Sequence, residues 1–191
     1  RRGQAAARRQ LVPADQLEWF EKRDGRPAVP PTDPPLNEGA PLVVFITVDA
    51  LRADVVADKK QKATAGFRQL AKEGAYFTQA RSTASATSPA VSALFTGKYF
   101  STLYWEETPF GGKLKFFPHN DESPRFPRLL SDAGVRTTVA VTTRGLRGEY
   151  GLAPGFSEYF EEGPYARQVL PHIEKWLDST GAGPGFFWAH F

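Results

Sequence analysis

Two places in the sequence hold side chains whose types and positions could do chemistry. Asp49 directly follows the apolar run Leu42-Val43-Val44-Phe45-Ile46-Thr47-Val48. Such an unbroken, β-branched run predicts a strand covered on both faces, as in a parallel sheet. Ligands of parallel sheets lie beyond the carboxyl ends of the strands. A carboxylate there is a hard-oxygen donor for a divalent cation, or simply the cap of the next turn. The second place is Ser82 to Ser88, a cluster of hydroxyls that runs straight into Pro89 and an apolar helical pattern. A hydroxyl at a helix start can cap it, and Thr87 and Ser88 both suit that role. The same helix start offers free N–H groups and partial positive charge to a phosphate or sulfate oxyanion. A threonine or serine there can attack phosphorus once a metal ion or a carboxylate lowers its pKa. From these residues alone both readings stand.

The surrounding elements must bring the two places together. Thr64 to Glu73 is predicted as an amphipathic helix, with Phe67, Leu70 and Ala71 on one face and Gly74 as its stop. Ala75 to Ala80 is predicted as a short strand. Ser88 to Thr96 is predicted as a helix with Pro89 in its first turn and Gly97 at its end. Arg125 to Ala133 and Tyr165 to Asp178 are further predicted helices, and Val135 to Thr142 and Phe186 to Phe191 further predicted strands. Alternating β and α units joined by short turns predict an α/β fold, a three-layer sandwich whose mostly parallel sheet carries helices on both faces.

Residues 1–40 read differently. The prolines from Pro13 to Pro41 include the doublets Pro30-Pro31 and Pro34-Pro35, which sustain neither a helix nor a central strand. They predict a linker, with one short helix from Asp15 through Leu17, Trp19 and Phe20. The expected organisation is therefore a Pro-rich linker over 1–40 and a catalytic-type domain over 41–191. There is no Met in the chain, and Gly185 to Phe191 reads as a buried strand with no turn after it, so the sequence is expected to be a fragment, inactive as these 191 residues alone.

Composition narrows the chemistry. The 191 residues are 41% hydrophobic and 24% charged, values of an ordinary globular domain. Cysteine is absent, which excludes disulfides, thiolate metal sites and cysteine nucleophiles. The net charge of +3 is small, and no basic run is interleaved with aromatics, so nucleic acid is not an expected partner.

Leu42 to Asp54 (LVVFITVDALRAD), Thr64 to Thr78 (TAGFRQLAKEGAYFT) and Thr87 to Gly97 (TSPAVSALFTG) resemble, in order and spacing, the N-terminal half of the alkaline phosphatase superfamily, sulfatase-like branch. The resemblance covers about residues 41–191 and ends in the FFWAHF strand. It implies an alkaline phosphatase-like fold in which Asp49 is a metal ligand and Thr87, two residues before Pro89, is the nucleophile. Arg52, Ser88 and His190 become candidates for binding the substrate, with a salt bridge to Asp54 or solvent exposure the stronger expectation for Arg52. The implied cofactor is a divalent ion (Ca, Mn, Zn or Mg), and the implied partner is an anionic ester.

Departures from the sulfatase pattern sharpen this. Thr87 stands where sulfatases carry the cysteine or serine that is oxidised to formylglycine, and Val91 stands where they carry an arginine. Thr142-Thr143-Arg144-Gly145 replaces the expected Gly-Lys-Trp-His. Threonine cannot yield formylglycine. It resembles the nucleophile of the phosphodiesterases and of the lipid-linked phosphoglycerol and phosphoethanolamine transferases of the superfamily, so phosphate is expected over sulfate. By the same resemblance a membrane domain is expected before residue 1, with a membrane-associated or extracytoplasmic location. His172 is expected to be structural, His119 to be exposed in its loop, and Arg144 and Arg147 to lie on a solvated loop. The competing expectation is an inactive sulfatase-fold module serving in assembly or partner binding.

Overall fold

The structure is a computed structural model that describes residues 41–146, 148–152, 154–179 and 183–191. The segment 1–40, with its expected linker and short helix, lies outside the described residues, as do Arg147 and the side chain of Arg144. Four strands form one sheet: β1 (Leu42–Thr47), β4 (Arg136–Val141), β5 (Glu158–Glu161) and β6 (Gly185–His190), in the order β1-β6-β4-β5. Every neighbouring pair is parallel. Two further strands, β2 (Glu106–Phe110) and β3 (Lys113–Phe117), make a separate antiparallel hairpin. The helices are α1 (Ala53–Ala57), α2 (Ala65–Glu73), α3 (Thr87–Thr96), α4 (Phe126–Asp132) and α5 (Ala166–Asp178).

Strand β6 is the spine of the core. Its residues alternate between two apolar clusters, as the two-residue period of a strand requires. Phe186 and Trp188 point to the face covered by α3 and α4, where they meet Val91, Phe95, Val139 and Val141. Phe187 and Ala189 point to the other face, where Val169 and Trp176 of α5 cover them with Ala140. Val169, Ile173 and Trp176 lie on one stripe of α5, as their spacing dictates. Phe95 stands edge-on to Trp188, with ring centroids 4.6 Å apart. Helices thus cover both faces of the parallel sheet.

Three expectations need correction. Ala75 to Ala80 is not a strand. Its local β character is real, but Tyr76 and Phe77 stand exposed, and among the described residues no neighbouring strand supplies a ladder. A strand exists only through its pairing. Strand β1 is not covered on both faces either. It is an edge of the four-stranded sheet, and Leu42, Val43 and Ile46 remain 43%, 48% and 50% exposed. The helix at 65–73 forms as expected, yet its apolar residues Phe67 and Leu70 also stay exposed.

The hairpin β2–β3, the strand β5 and the short α1 were not anticipated. The hairpin turn is Gly111-Gly112, with both residues at positive φ (59° and 76°). That is the geometry two-residue hairpin loops demand, and glycine meets it without steric cost. Phe117 carries the hairpin into the core by stacking on Tyr150 at 4.4 Å. Gly151, beside Tyr150, has φ 72°, and a Cβ there would stand 2.4 Å from the Cα of His119. This close approach pins the chain that leaves the hairpin.

Candidate functional site

The parallel register brings three strand ends to one edge. Thr47 pairs with His190, and Val141 pairs with His190 from the other side. The pairing continues one step further, because the Asp49 N–H donates to the Phe191 carbonyl at 2.7 Å. Asp49 is therefore held by backbone at the carboxyl edge of the sheet. The chain then turns sharply at Ala50, which sits at φ 53°, in the left-handed region uncommon for a residue with a Cβ.

Helix α3 begins at the same edge. Its N-cap is Ala86, and no side chain caps it. The Thr87 hydroxyl donates instead to the Asp49 carboxylate, 2.8 Å from Oδ2 and 3.0 Å from Oδ1. The structure so brings together the two places that stand 38 residues apart in sequence. The N–H groups of the first turn of α3 are left without a side-chain acceptor, and Pro89, third in the helix, has no N–H to satisfy. Further along, the Ser92 hydroxyl donates to the Ser88 carbonyl and the Thr96 hydroxyl to the Ser92 carbonyl, both at 2.7 Å. These bonds satisfy polar groups on a helix whose Val91, Ala93 and Phe95 are in the core.

His190 ends β6 at this edge and is buried. Its Nδ1 lies 2.8 Å from the Thr47 hydroxyl, which also accepts the indole N–H of Trp188 at 2.9 Å. The same hydroxyl lies 3.5 Å from the Ala189 carbonyl, so it ties the indole, the imidazole and the strand backbone together. His190 Nε2 is a buried atom with no hydrogen-bond partner among the described residues. Burial pushes the His190 pKa below the ordinary histidine value, and the nearby Asp49 charge opposes that shift.

The other site candidates fall differently. Ser88 lines the same groove as Thr87. Arg52 does not reach the groove. Its guanidinium is committed to Asp54, with Nη2 2.6 Å and Nε 3.0 Å from the carboxylate, and both side chains are exposed. His172 is structural: its Nε2 is 2.6 Å from Glu162, and its ring stacks on Phe160 at 4.2 Å. His119 is half-buried, with Nε2 2.9 Å from Glu106, rather than loose in a loop. Val91 is in the core beside Phe95.

A groove of about 590 Å³ opens at Thr87. One wall is the start of α3, and the floor is Thr143, Gly145 and Leu146 after β4. The hairpin also lines it, with Phe110, Leu114, Lys115, Phe116 and Phe117. These hairpin residues were missed as site residues because the hairpin itself was missed. The signal was present: Gly111-Gly112 between two five-residue segments of mixed apolar character is a two-residue hairpin pattern. A smaller cavity of about 230 Å³, at Leu42, Arg136 and Gly185, lies at the amino edge of the sheet, away from Thr87.

As a cation site the described residues offer the Asp49 carboxylate, the Thr87 hydroxyl and, next to them, His190. Among the described residues no group of three or more His, Cys, Asp or Glu side chains is placed to hold a metal ion. Calcium and magnesium take six or more oxygens, so this donor set is part of a shell and not a whole one. Among the described residues no helix is long and apolar enough to cross a membrane.

Comparison with known proteins gives one family: the family model described as Sulfatase matches residues 41–191. No curated protein and no solved structure shows a significant match.

Proposed function

The chain belongs to the sulfatase family, and from that premise we propose that it cleaves or transfers a phosphate ester, with Thr87 as the nucleophile. The family is one of hydrolases that generally use a divalent metal ion. The observation that carries the finer reading is the Thr87 hydroxyl, which leaves its own helix start uncapped and donates to Asp49 at 2.8 Å. A plain cap would point to the N–H of the second or third helical residue.

In this reading the ester phosphate lies against the first turn of α3. Its non-bridging oxygens accept the free N–H groups there, where the helix dipole favours negative charge. His190, at the end of β6 with Asp49 nearby and its Nδ1 engaged by Thr47, is the further candidate for holding the substrate. Thr87 Oγ1 forms a bond to phosphorus, the bond from phosphorus to the leaving oxygen breaks, and Asp49 holds the hydroxyl proton as it departs. The leaving alcohol takes up a proton. Water or an acceptor alcohol then attacks the phosphothreonine, breaks its P–O bond and restores the Thr87 hydroxyl. A divalent ion held by Asp49 and Thr87 would lower the hydroxyl pKa and neutralise developing charge. No cysteine and no serine occupies position 87, which supports phosphate over the sulfate esters that formylglycine enzymes cleave.

The test compares bis-p-nitrophenyl phosphate with p-nitrophenyl sulfate. For the full-length protein we expect phosphoester cleavage, with sulfate at least about tenfold slower, a difference of more than about 1 kcal/mol in barrier. Thr87→Ala should abolish turnover while unfolding stability changes by less than about 1 kcal/mol, since no cap bond is lost. A Thr87→Ala protein with full activity would sink the reading. The second reading, an inactive sulfatase-fold module, draws on the incomplete donor set and on Val91. Absence of metal-dependent turnover in the wild type would favour it.

A further inference from the structure

Strand β1 is an edge with no buried residue, yet Asp49 beyond its end stands within hydrogen-bond reach of Thr87. The side chains of β1 alternate between the two faces of the sheet. Val44 packs on the α5 face, and Phe45 packs on the α3 face, where its ring stacks on Phe186 at 6.3 Å. Thr47 falls on the same face as Phe45, and two residues further on Asp49 meets Thr87 at the start of α3. Thr47 is thus the last side chain on that face before Asp49. Its hydroxyl accepts the Trp188 indole N–H at 2.9 Å and lies 2.8 Å from His190 Nδ1, and both of those rings are buried. A hydroxyl can accept from the indole and either donate to or accept from the imidazole, so one oxygen serves both rings. Beyond Thr47 the pairing continues through backbone: the Phe191 N–H donates to the Thr47 carbonyl at 3.0 Å, and the Asp49 N–H donates to the Phe191 carbonyl at 2.7 Å.

We propose that Thr47 is a positioning residue for the reaction at Thr87: its hydroxyl clamps the end of β1 to the buried rings of β6 and so holds the Asp49 carboxylate where Thr87 donates to it. The inference rests on the reading of Asp49 and Thr87 as the reacting pair. Thr47 itself touches neither of them; it acts through the two residues of chain that lead to Asp49 and through the register that the Asp49 N–H bond needs. Without the hydroxyl, the indole N–H and His190 Nδ1 are buried and unpaired. Such groups are satisfied by admitting water, here between β1 and β6. An edge strand has no second ladder to resist that loosening. The loss falls on the step in which Asp49 holds the departing Thr87 proton, and not on the helix start that receives the phosphate. It therefore lowers kcat and leaves KM nearly as it was.

Thr47→Val tests this on the full-length protein, because valine keeps the shape and removes the hydroxyl. With bis-p-nitrophenyl phosphate, kcat should fall at least about tenfold while KM stays within about twofold. Hydrogen exchange at the Asp49 amide should quicken at least about tenfold, while the amides of β4 keep their protection. Thr47→Ser restores the hydroxyl and should bring both readouts back to near the wild-type values. Val169→Ala, in the core on the other face of the sheet, should lower the unfolding midpoint and leave kcat unchanged, which separates positioning from stability. Should Thr47→Val not fold, Thr47→Cys, similar in size and a weaker hydrogen-bonding group, should show the same two losses in smaller measure. Wild-type kcat in the variant without the hydroxyl overturns the proposal, and so does a lower kcat with Asp49 exchange unchanged. A Thr47→Ser protein as impaired as Thr47→Val, or an equal loss of kcat in Val169→Ala, overturns it as well. A wild type without turnover ends the reading of Thr87 and this inference with it, whereas wild-type turnover with an unimpaired Thr47→Val ends this inference alone.

Discussion

Strands β1 and β6 are neighbours, read almost alike in sequence and do opposite work. LVVFIT and GFFWAH are both apolar runs that end in a polar residue. Yet every residue of β6 is buried, whereas no residue of β1 is. The difference is position: β6 lies between β1 and β4 with helices over both faces, and β1 is the edge. An apolar run states what a strand can tolerate. The neighbours it receives decide what it buries. As a result β6 carries the stability, and β1 carries Asp49 to the groove at little stability cost.

Substitutions can break that contrast. The largest effect should come from Trp188→Ala, which empties a fully buried site packed on Phe95. Urea unfolding should show a loss of about 3–5 kcal/mol, against about 1 kcal/mol or less for Ile46→Ala on β1. Comparable losses at the two positions would end the contrast. Next, Asp49→Ala should slow phosphoester turnover by at least about 100-fold, or roughly 3 kcal/mol in barrier. Its unfolding midpoint should barely move, because Asp49 is exposed and its strand-end bond to Phe191 is made by backbone. A chelator should reduce the wild-type rate in the same assay.

Protonation sharpens the comparison further. The buried His190 of β6 has a depressed pKa, so the unfolded chain binds a proton more readily than the folded one. The stability that neutral His190 contributes is complete above about pH 6.5 and is lost as pH falls toward its folded pKa. The slope from this one group is at most about 1.4 kcal/mol per pH unit, and His190→Gln should flatten it. Glu158 acts at lower pH. Its carboxyl is held below the usual value by the Thr138 hydroxyl, despite opposing burial, and by Arg136. That contribution is present above the ordinary glutamate range and is lost only as pH falls through the depressed value. The smallest effect belongs to Ile46→Lys on β1. Thermal unfolding should shift by the equivalent of about 0.5 kcal/mol or less, and a larger loss would mean that β1 is covered in solution.

Much of this was legible before any coordinates. The helix starting near Thr87 and the strands at 42–47, 136–141 and 185–190 follow from periodicity and from glycine and proline punctuation. The meeting of Asp49 and Thr87 was readable because a strand end and a helix start are both forced to the carboxyl edge of a parallel sheet. What was not legible depends on partners distant in sequence. Ala75 to Ala80 has strand-like residues and no strand beside it. Glu158–Glu161 has charged ends, and it is a strand only because β4 offers it a ladder. The Arg52–Asp54 pair, by contrast, was legible, because its partners stand only two residues apart. His190 was placed at the site by position alone. That its Nδ1 is engaged by the hydroxyl that also takes the Trp188 indole N–H becomes visible only once the sheet has formed.

The hydroxyl shared by Trp188 and His190 also makes the site optically visible. An indole in a dry environment emits at short wavelength, and its emission responds to the partner of its N–H and to a nearby imidazolium. Trp188 is fully enclosed, its N–H bond ends on Thr47, and Thr47 ends on the imidazole. In the proposed site, a movement of His190 toward an anion would shift the oxygen that accepts the indole N–H. A single strand therefore supplies both the core of the domain and an unlabelled fluorophore two residues from its reactive edge.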